Sequence, residues 1–155
     1  MTAHRKYEFT GETKAHLGRT LRQIRAVVEI AALGVAIGEL GGWIEKEENL
    51  GHSGNAWVSG NAWVFGDARV FGNAQVFGKQ AIGWFSCVGS ENGTLTWMRG
   101  DSGQILVNRG CFRGTLDDFR AAVEKTHGNN EFGQQYRLLI QFIELRAAAN
   151  QEQAA

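Results

Sequence analysis

Four glycines spaced six residues apart, Gly60, Gly66, Gly72 and Gly78, constrain most strongly what this chain can fold into. In the same phase the chain reads VSGNAW, VFGDAR, VFGNAQ and VFGKQA, with Val58, Val64, Val70 and Val76 in one slot and Ala62, Ala68 and Ala74 in another. Upstream, HSGNAW keeps Gly54 and Ala56 but puts His52 in the valine slot. LGGWIE has Leu40, Gly42 and Ile44 in the valine, glycine and alanine slots, and Leu50 falls in the alanine slot. Downstream, Ile82 and Val88 keep the valine phase, so a degenerate register runs over residues 34–88.

A six-residue period fits neither the 3.6 nor the 3.5 residues of a helical repeat, and a glycine in every copy opposes a helix further. In Ala-x-Val the two outer side chains face the same way, because strand side chains alternate. The Phe-Gly-Asn or Phe-Gly-Asp that follows accepts positive φ and bends the chain. A short strand followed each time by a bend coils, and three sides make a turn of 18 residues. The pattern therefore predicts a mainly β fold with C-terminal helices, built on a parallel β-helix of about three coils. Alanine and valine lie inside, each valine contributing roughly 1.5–3 kcal/mol on burial, and residues 18 apart stack.

The flanks read differently. Residues 1–33 predict a cap: KYEF (6–9) and TLRQIRAVVEI (20–30) are extended segments joined by the loop TGETKAHLG, shielding the open end of the coil. Within 89–155, TLTWMR (94–99) and QILVNRGCF (104–112) predict an antiparallel hairpin around RGDSG. Thr115 is a helix N-cap with Asp117 and Asp118 in the first turn and Gly128 as the stop. A second helix over about 130–149 carries a stripe of Phe132, Tyr136, Leu139, Ile140 and Ile143, widened by Leu138, Phe142 and Leu145. Phe132, Tyr136, Leu139, Ile140, Phe142 and Ile143 are the expected contact between copies of the chain, with a dimer ahead of a trimer. The three segments are expected to form one compact unit.

Formal net charge is zero, so no global field draws the chain to nucleic acid or membrane, and direct nucleic-acid binding is not expected. Sign is unevenly spread: residues 1–27 carry six Lys/Arg against two Asp/Glu, and 28–88 carry three against six. No apolar run reaches membrane-spanning length, and Cys87 and Cys111 lack metal-ligand spacing. A soluble, cytoplasmic chain with reduced thiols, at least one of them buried, is the expectation.

With alanine and valine inside, Trp57, Ser59, Trp63, Phe65, Arg69, Phe71, Gln75 and Phe77 point outward. Five large outward aromatics exceed what a soluble monomer exposes. Either the C-terminal elements or a second subunit cover them, or Trp57, Trp63, Phe65, Phe71 and Phe77 form a patch for a foreign partner. Glu45, Glu47 and Glu48 add an acidic corner, suited to docking on a basic nucleic-acid-binding protein.

The run SGNAWVSGNAWVFGDARVFGNAQVFG resembles the hexapeptide-repeat, left-handed parallel β-helix superfamily, and left-handedness is what that resemblance implies. LGGWIEKEENL and RGCFRGTLDDFRAAVEKTHG resemble small proteins encoded by phages and prophages, some of which counter host defences, anti-CRISPR proteins among them. That resemblance implies a partner in the host bacterial cell: a protein or a ribonucleoprotein complex.

Enzymatic readings fit the residues less well. Hexapeptide acyltransferases need a histidine in an intersubunit cleft and an extended donor-binding loop. Of His4, His16, His52 and His127 only His52 lies in the repeat, in an inward slot, and no long loop interrupts it. The carbonic anhydrase branch needs three zinc-binding histidines. The glycine-rich turns lack the Lys-Ser/Thr and the helix of a phosphate loop, and the glutamates lack an apolar wall. No catalytic residue, metal or cofactor is expected. The sequence reads as a non-catalytic inhibitor that occupies a site on a host macromolecule. The alternatives are a divergent acyltransferase with His52 as base, or a virion or assembly component.

Overall fold

A computed structural model describes residues 5–100 and 102–154, with side chains up to residue 148. The elements are β1 (Tyr7–His16), β2 (Arg19–Ala26), β3 (Leu40–Ile44), β4 (Trp57–Ser59), β5 (Trp63–Val64), β6 (Gln75–Phe77), β7 (Ile82–Val88), β8 (Gly93–Arg99), β9 (Ile105–Arg109) and β10 (Phe112–Thr115), then α1 (Leu116–Thr126) and α2 (Glu131–Ala154). They form three small sheets, ordered β1-β2-β3-β5, β10-β9-β8-β7 and β4-β6.

The chain is therefore not a parallel β-helix. Among the described residues none of the sheets closes or winds into a solenoid, and parallel pairing is confined to the short pairs β3–β5 and β4–β6 and the single bridge Leu50–Val70. The physical reason is the shortness of each repeat. A copy supplies two or three extended residues, and residues 65–74 run as turns with single bridges at Val70 and Ala74. Long antiparallel hairpins, whose ladders are richer, take over on both sides. Ile82 and Val88 do not continue the repeat but lie in β7, paired antiparallel with β8.

The inward slots are nonetheless filled as the alternation requires. Ala56, Ala62, Ala68 and Ala74 are buried together with Val58, Val64, Val70 and Val76, in one core with Tyr7, Ile24, Ile44 and Leu50. In the β4–β6 pair, Trp57 lies opposite Gln75, Val58 opposite Val76 and Ser59 opposite Phe77, a separation of 18. In β3–β5, Trp43 lies opposite Trp63 and Ile44 opposite Val64, a separation of 20, and Leu50 likewise bridges Val70. The degenerate copies are thus offset by two from the regular ones. Ile44 and Leu50 stack on valines rather than alanines, and Leu40 is exposed instead of inward.

Asn49 ties these turns together. It is fully buried, its Oδ1 accepts the Lys46 and Glu45 amides at 2.9 and 3.2 Å, and its Nδ2 donates to Ala68 O and Gly66 O at 2.9 and 3.1 Å. Such a residue is favourable inside because its amide dipole is satisfied on both ends.

At the N-terminus the predicted loop 10–18 is mostly strand. Only Leu17 and Gly18 turn, with φ of 50° and 77°, the two-residue geometry that matches strand twist. Gly11, at φ 99°, sits where the β1–β2 register shifts between Phe9 and Thr13, an irregularity that takes up the extra residues. The predicted C-terminal hairpin is the β8–β9 pair, widened to four strands, although Asp101 of its turn lies outside the described residues. Thr115 caps α1 as expected: its Oγ1 accepts the Asp118 amide at 3.1 Å and the Asp118 carboxylate accepts the Thr115 amide at 3.2 Å. Leu95, Trp97 and Val107 of the second sheet pack with Phe119, Val123, Tyr136, Ile140 and Ile143 into a second core. Both cysteines are free and exposed, against the expectation that one is buried.

Equivalent glycines in successive copies should differ in their tolerance of a side chain. Gly54 and Gly72 both have positive φ, but a Cβ at Gly54 would lie 2.7 Å from Gly72 O, whereas Gly72 has open space around it. Chemical denaturation should show Gly72→Ala losing about 1 kcal/mol from strain alone and Gly54→Ala losing roughly 2–4 kcal/mol.

Candidate functional site

The outer face of the first sheet gathers aromatic and cationic side chains from segments far apart in sequence. Parallel pairing of β3 with β5 sets Trp43 beside Trp63. The register of β1 on β2 places Lys14 opposite Leu21 and His16 opposite Arg19, on the side where these tryptophans lie. Lys14 Nζ is 4.3 Å from the Trp43 ring centre and 5.9 Å from that of Trp63, and Lys79 Nζ is 3.6 Å from Trp63. Contacts of this kind contribute about 0.5–1 kcal/mol each where solvent reaches them. His16 lies 4.7 Å from Trp63 and 5.3 Å from Phe65. Phe65 in turn meets Trp84 edge-on at 4.8 Å. Arg19 lies 5.5 Å from the Phe65 ring. The rings of Trp43, Trp63, Phe65 and Trp84 are half-buried, and Lys14, Arg19 and Lys79 are exposed. The result is a continuous ridge of rings edged by positive charge.

Of the five aromatics expected on the outside, only Trp63 and Phe65 join this ridge. Trp57 is fully buried and cannot contact a partner. The first sheet folds over it, and the glycine at position 41 makes room: a Cβ there would lie 2.7 Å from Ile24 Cγ1 and 2.8 Å from Trp57 Cζ2. Phe71 is partly buried against the core beneath Arg113, 5.4 Å from its ring centre. Phe77 is exposed. Trp43, Trp84, His16, Lys14 and Lys79 were not singled out by the repeat. Trp43 had a signal in LGGWIE, but the two-residue offset hid its pairing with Trp63.

The acidic corner is largely neutralised from within. Glu45 Oε1 accepts the Gly66 amide and Arg19 Nη1, both at 2.8 Å. The Gly66 amide, aided by Arg19 and Lys46 and opposed by partial burial, holds the Glu45 carboxyl below its usual range. Glu47 accepts Arg5 and faces His52 Nε2 at 3.4 Å, while Glu48 stays exposed.

His52 is not a buried valine substitute but a half-buried ring stacked on Tyr7, 4.2 Å between centres at 14°. Its Nδ1 accepts the Lys6 amide at 3.1 Å, so both ring nitrogens face protein groups. Tyr7 donates to Leu50 O at 2.8 Å, and burial, reinforced by Glu47, pushes its pKa upward. Beside them Lys6 is only 2% exposed. Its Nζ donates to Ala56 O at 2.6 Å, and burial lowers its pKa to about 8. His16 belongs to the ridge, His127 lies on the C-terminal half, and His4 lies outside the described residues. Among the described residues no group of three or more His, Cys, Asp and Glu is placed to hold a metal ion.

The stripe on α2 is divided. Tyr136, Ile140 and Ile143 are buried in the second core, with Leu139 packed against it, so they are not free for a second copy. Phe132 is partly buried beside His127. Phe142 is half exposed, its ring 5.5 Å from Phe85, and Leu138 and Leu145 are more exposed still. No helix among the described residues is long and apolar enough to cross a membrane. Compared with protein-family models, with curated proteins and with solved structures, the chain matches none.

Lys6 gives the N-terminal cluster a pH signature. Between the folded pKa of about 8 and the ordinary value of 10.5 the unfolded chain holds a proton that the folded chain has released, so stability rises with pH. Urea unfolding from pH 8 to 10 should show wild type gaining stability relative to Lys6→Met. A constant difference between the two would remove Lys6 as the cause.

Proposed function

We propose that this chain is a non-catalytic binding protein of phage type, which inhibits a host macromolecule by occupying a site on it. The ridge of Trp43, Trp63, Phe65 and Trp84 carries this reading. Large rings that are only partly buried are the residues from which interface anchors are made. Trp43 and Trp63 are held side by side by the pairing of β3 with β5, and Phe65 and Trp84, the latter on β7, are packed edge to face, so little side-chain freedom is lost on docking. The charged edge, with Lys14 and Lys79 free of carboxylate partners among the described residues, favours an acidic surface. That points to an acidic region of a host protein or ribonucleoprotein complex, such as a component of a bacterial immune system. The acidic corner is a weaker candidate because Glu45 and Glu47 already serve internal cations.

The test is crosslinking capture from the bacterial host by wild-type protein and by two variants. Trp43→Ala/Trp63→Ala removes the ridge, and Lys14→Glu/Lys79→Glu reverses its edge through exposed residues whose change should leave the fold intact. A partner enriched by wild type and reduced at least ten-fold by both variants is the expected outcome. Equal capture by all three would overturn the assignment of the ridge.

A second copy of the chain belongs to the same proposal, with its contact moved. The exposed residues Leu138, Phe142 and Leu145 follow a four-then-three spacing, the seam along which helices pair. In an antiparallel pair, Leu138 of one copy meets Leu145 of the other. Light scattering should give twice the 17.0 kDa chain mass, and Leu138→Glu/Leu145→Glu should return it to the single-chain value.

A further inference from the structure

We infer a second binding site, on the C-terminal half of the chain, for a small organic carboxylate with an apolar body. Between the second sheet and the two helices lies a cavity of about 220 Å³. Its floor is apolar, formed by Phe112 and Phe119 with Ala122 and Val123, and Tyr136 and Arg109 close one side. This is the arrangement of ligand sites generally: an apolar concavity with a few convergent polar groups. Its size excludes drug-sized molecules and suits a single ring or branched chain.

Arg109 decides the chemistry. Its side chain is only 14% exposed, and its nearest carboxylate, on Glu91, stands 3.6 Å away on a side chain that is 80% exposed. At that separation the two form an ion pair but not a good hydrogen bond, so a largely desolvated guanidinium is held by a loose, water-exposed anion that another carboxylate can displace. The guanidinium is also fixed in place. Its Nε donates to Tyr136 Oη at 2.8 Å, and it lies 6.0 Å from the Tyr136 ring centre. A Cβ at Gly89 would stand 2.0 Å from Tyr136 Oη and 2.7 Å from Arg109 Nη2. Only glycine leaves room for the phenol and the guanidinium to meet there, and its φ of 75° lets the turn before β8 pass them.

With Nε given to Tyr136, a planar carboxylate matches the edge formed by the two terminal nitrogens of the guanidinium. An apolar group attached to it reaches Phe112 and Phe119. Glu91, on an exposed side chain that also lines the cavity, competes for the same cation. His127 is the other ionisable lining group; it lies 5.8 Å from the Tyr136 ring and faces the phenol rather than a carboxylate. The ligand chemistry is the same whether the carboxylate is free in solution or ends a polypeptide.

The experiment is a titration of the full-length, isotope-labelled chain followed by amide shifts. The probes are 3-phenylpropionate, its amide, and a short peptide ending in phenylalanine with a free or an amidated carboxyl. Saturable shifts centred on Ser90, Glu91 and Arg109 are expected with the acid, at least ten-fold weaker with its amide. Glu91→Gln, at an exposed turn, should tighten binding several-fold by removing the internal competitor, and Arg109→Gln should abolish it. The free acid binding better than the peptide assigns a metabolite, and the reverse order assigns a chain terminus. Equal binding of acid and amide, no saturable shift with either acid or peptide, or no change in Glu91→Gln would overturn the site. None of these readouts depends on the ridge of the first sheet.

Discussion

Backbone lying directly on backbone is the constraint from which the rest of this molecule follows. Where successive turns stack, the Asn55 amide donates to Gly72 O, the Trp57 amide to Ala74 O and the Val70 amide to Asn49 O, all within 3.0 Å. At the Gly54 corner the space between turns admits a hydrogen but not a methyl group, because a Cβ there would lie 2.7 Å from Gly72 O. At Gly60, Gly66 and Gly72 there is room for a Cβ, and glycine recurs because φ values of 63°, 63° and 65° are ones that L side chains rarely adopt. Each bond contributes only about 1 kcal/mol net, but a buried amide left without an acceptor costs roughly 1–3 kcal/mol. Close stacking is therefore enforced more by what its loss would expose than by what each contact adds. Asn49 extends the same logic to the irregular turn, replacing missing ladder bonds with four from one side chain.

The two-residue offset between the regular and degenerate copies has the largest consequence for function. At a separation of 18, Trp57 meets Gln75 and lies under the first sheet. At a separation of 20, Trp43 meets Trp63, and both lie on the outer face where β1 can place Lys14 and His16 against them. One offset thus determines which tryptophans support the fold and which meet solvent. The same change explains why β3 can accept β2 as an antiparallel neighbour on its other edge: once the repeat has slipped, the edge is no longer continued by another copy.

What was legible in the sequence was local. The alternation that turns Ala62, Ala68, Val64 and Val70 inward, the α1 cap at Thr115 and the β8–β9 pair are each specified within a few residues. The parallel β-helix was not legible as an error, because period alone does not report how many residues of each copy stay extended. Two-residue strands such as Trp63–Val64 cannot outcompete the eight-residue and ten-residue strands of the first hairpin for pairing partners. The outward aromatics failed for a related reason. Pointing away from the coil is a statement about the repeat, whereas exposure depends on the remainder of the chain, and Trp57 is covered by it. The α2 stripe was similarly over-assigned: Tyr136, Ile140 and Ile143 found their cover in β8, β9 and α1.

The chain builds its two surfaces by different physics, and this separates what each can do. The first sheet stands on a core in which alanines and valines pack around Tyr7, Ile24, Ile44 and Trp57, and its chemistry is displayed outward on rings that are only partly buried. The second sheet packs large rings, Trp97, Phe119 and Tyr136, against helices. The cavity beside Arg109 opens among these rings, and the guanidinium is fixed there by its hydrogen bond to the Tyr136 hydroxyl. A flat outward ridge suits a macromolecule, and an open concavity with a charged wall suits a small molecule or a chain end that can settle into it. The repeat thus accounts for the first surface and says nothing about the second, whose specification begins only after the six-residue period has ended.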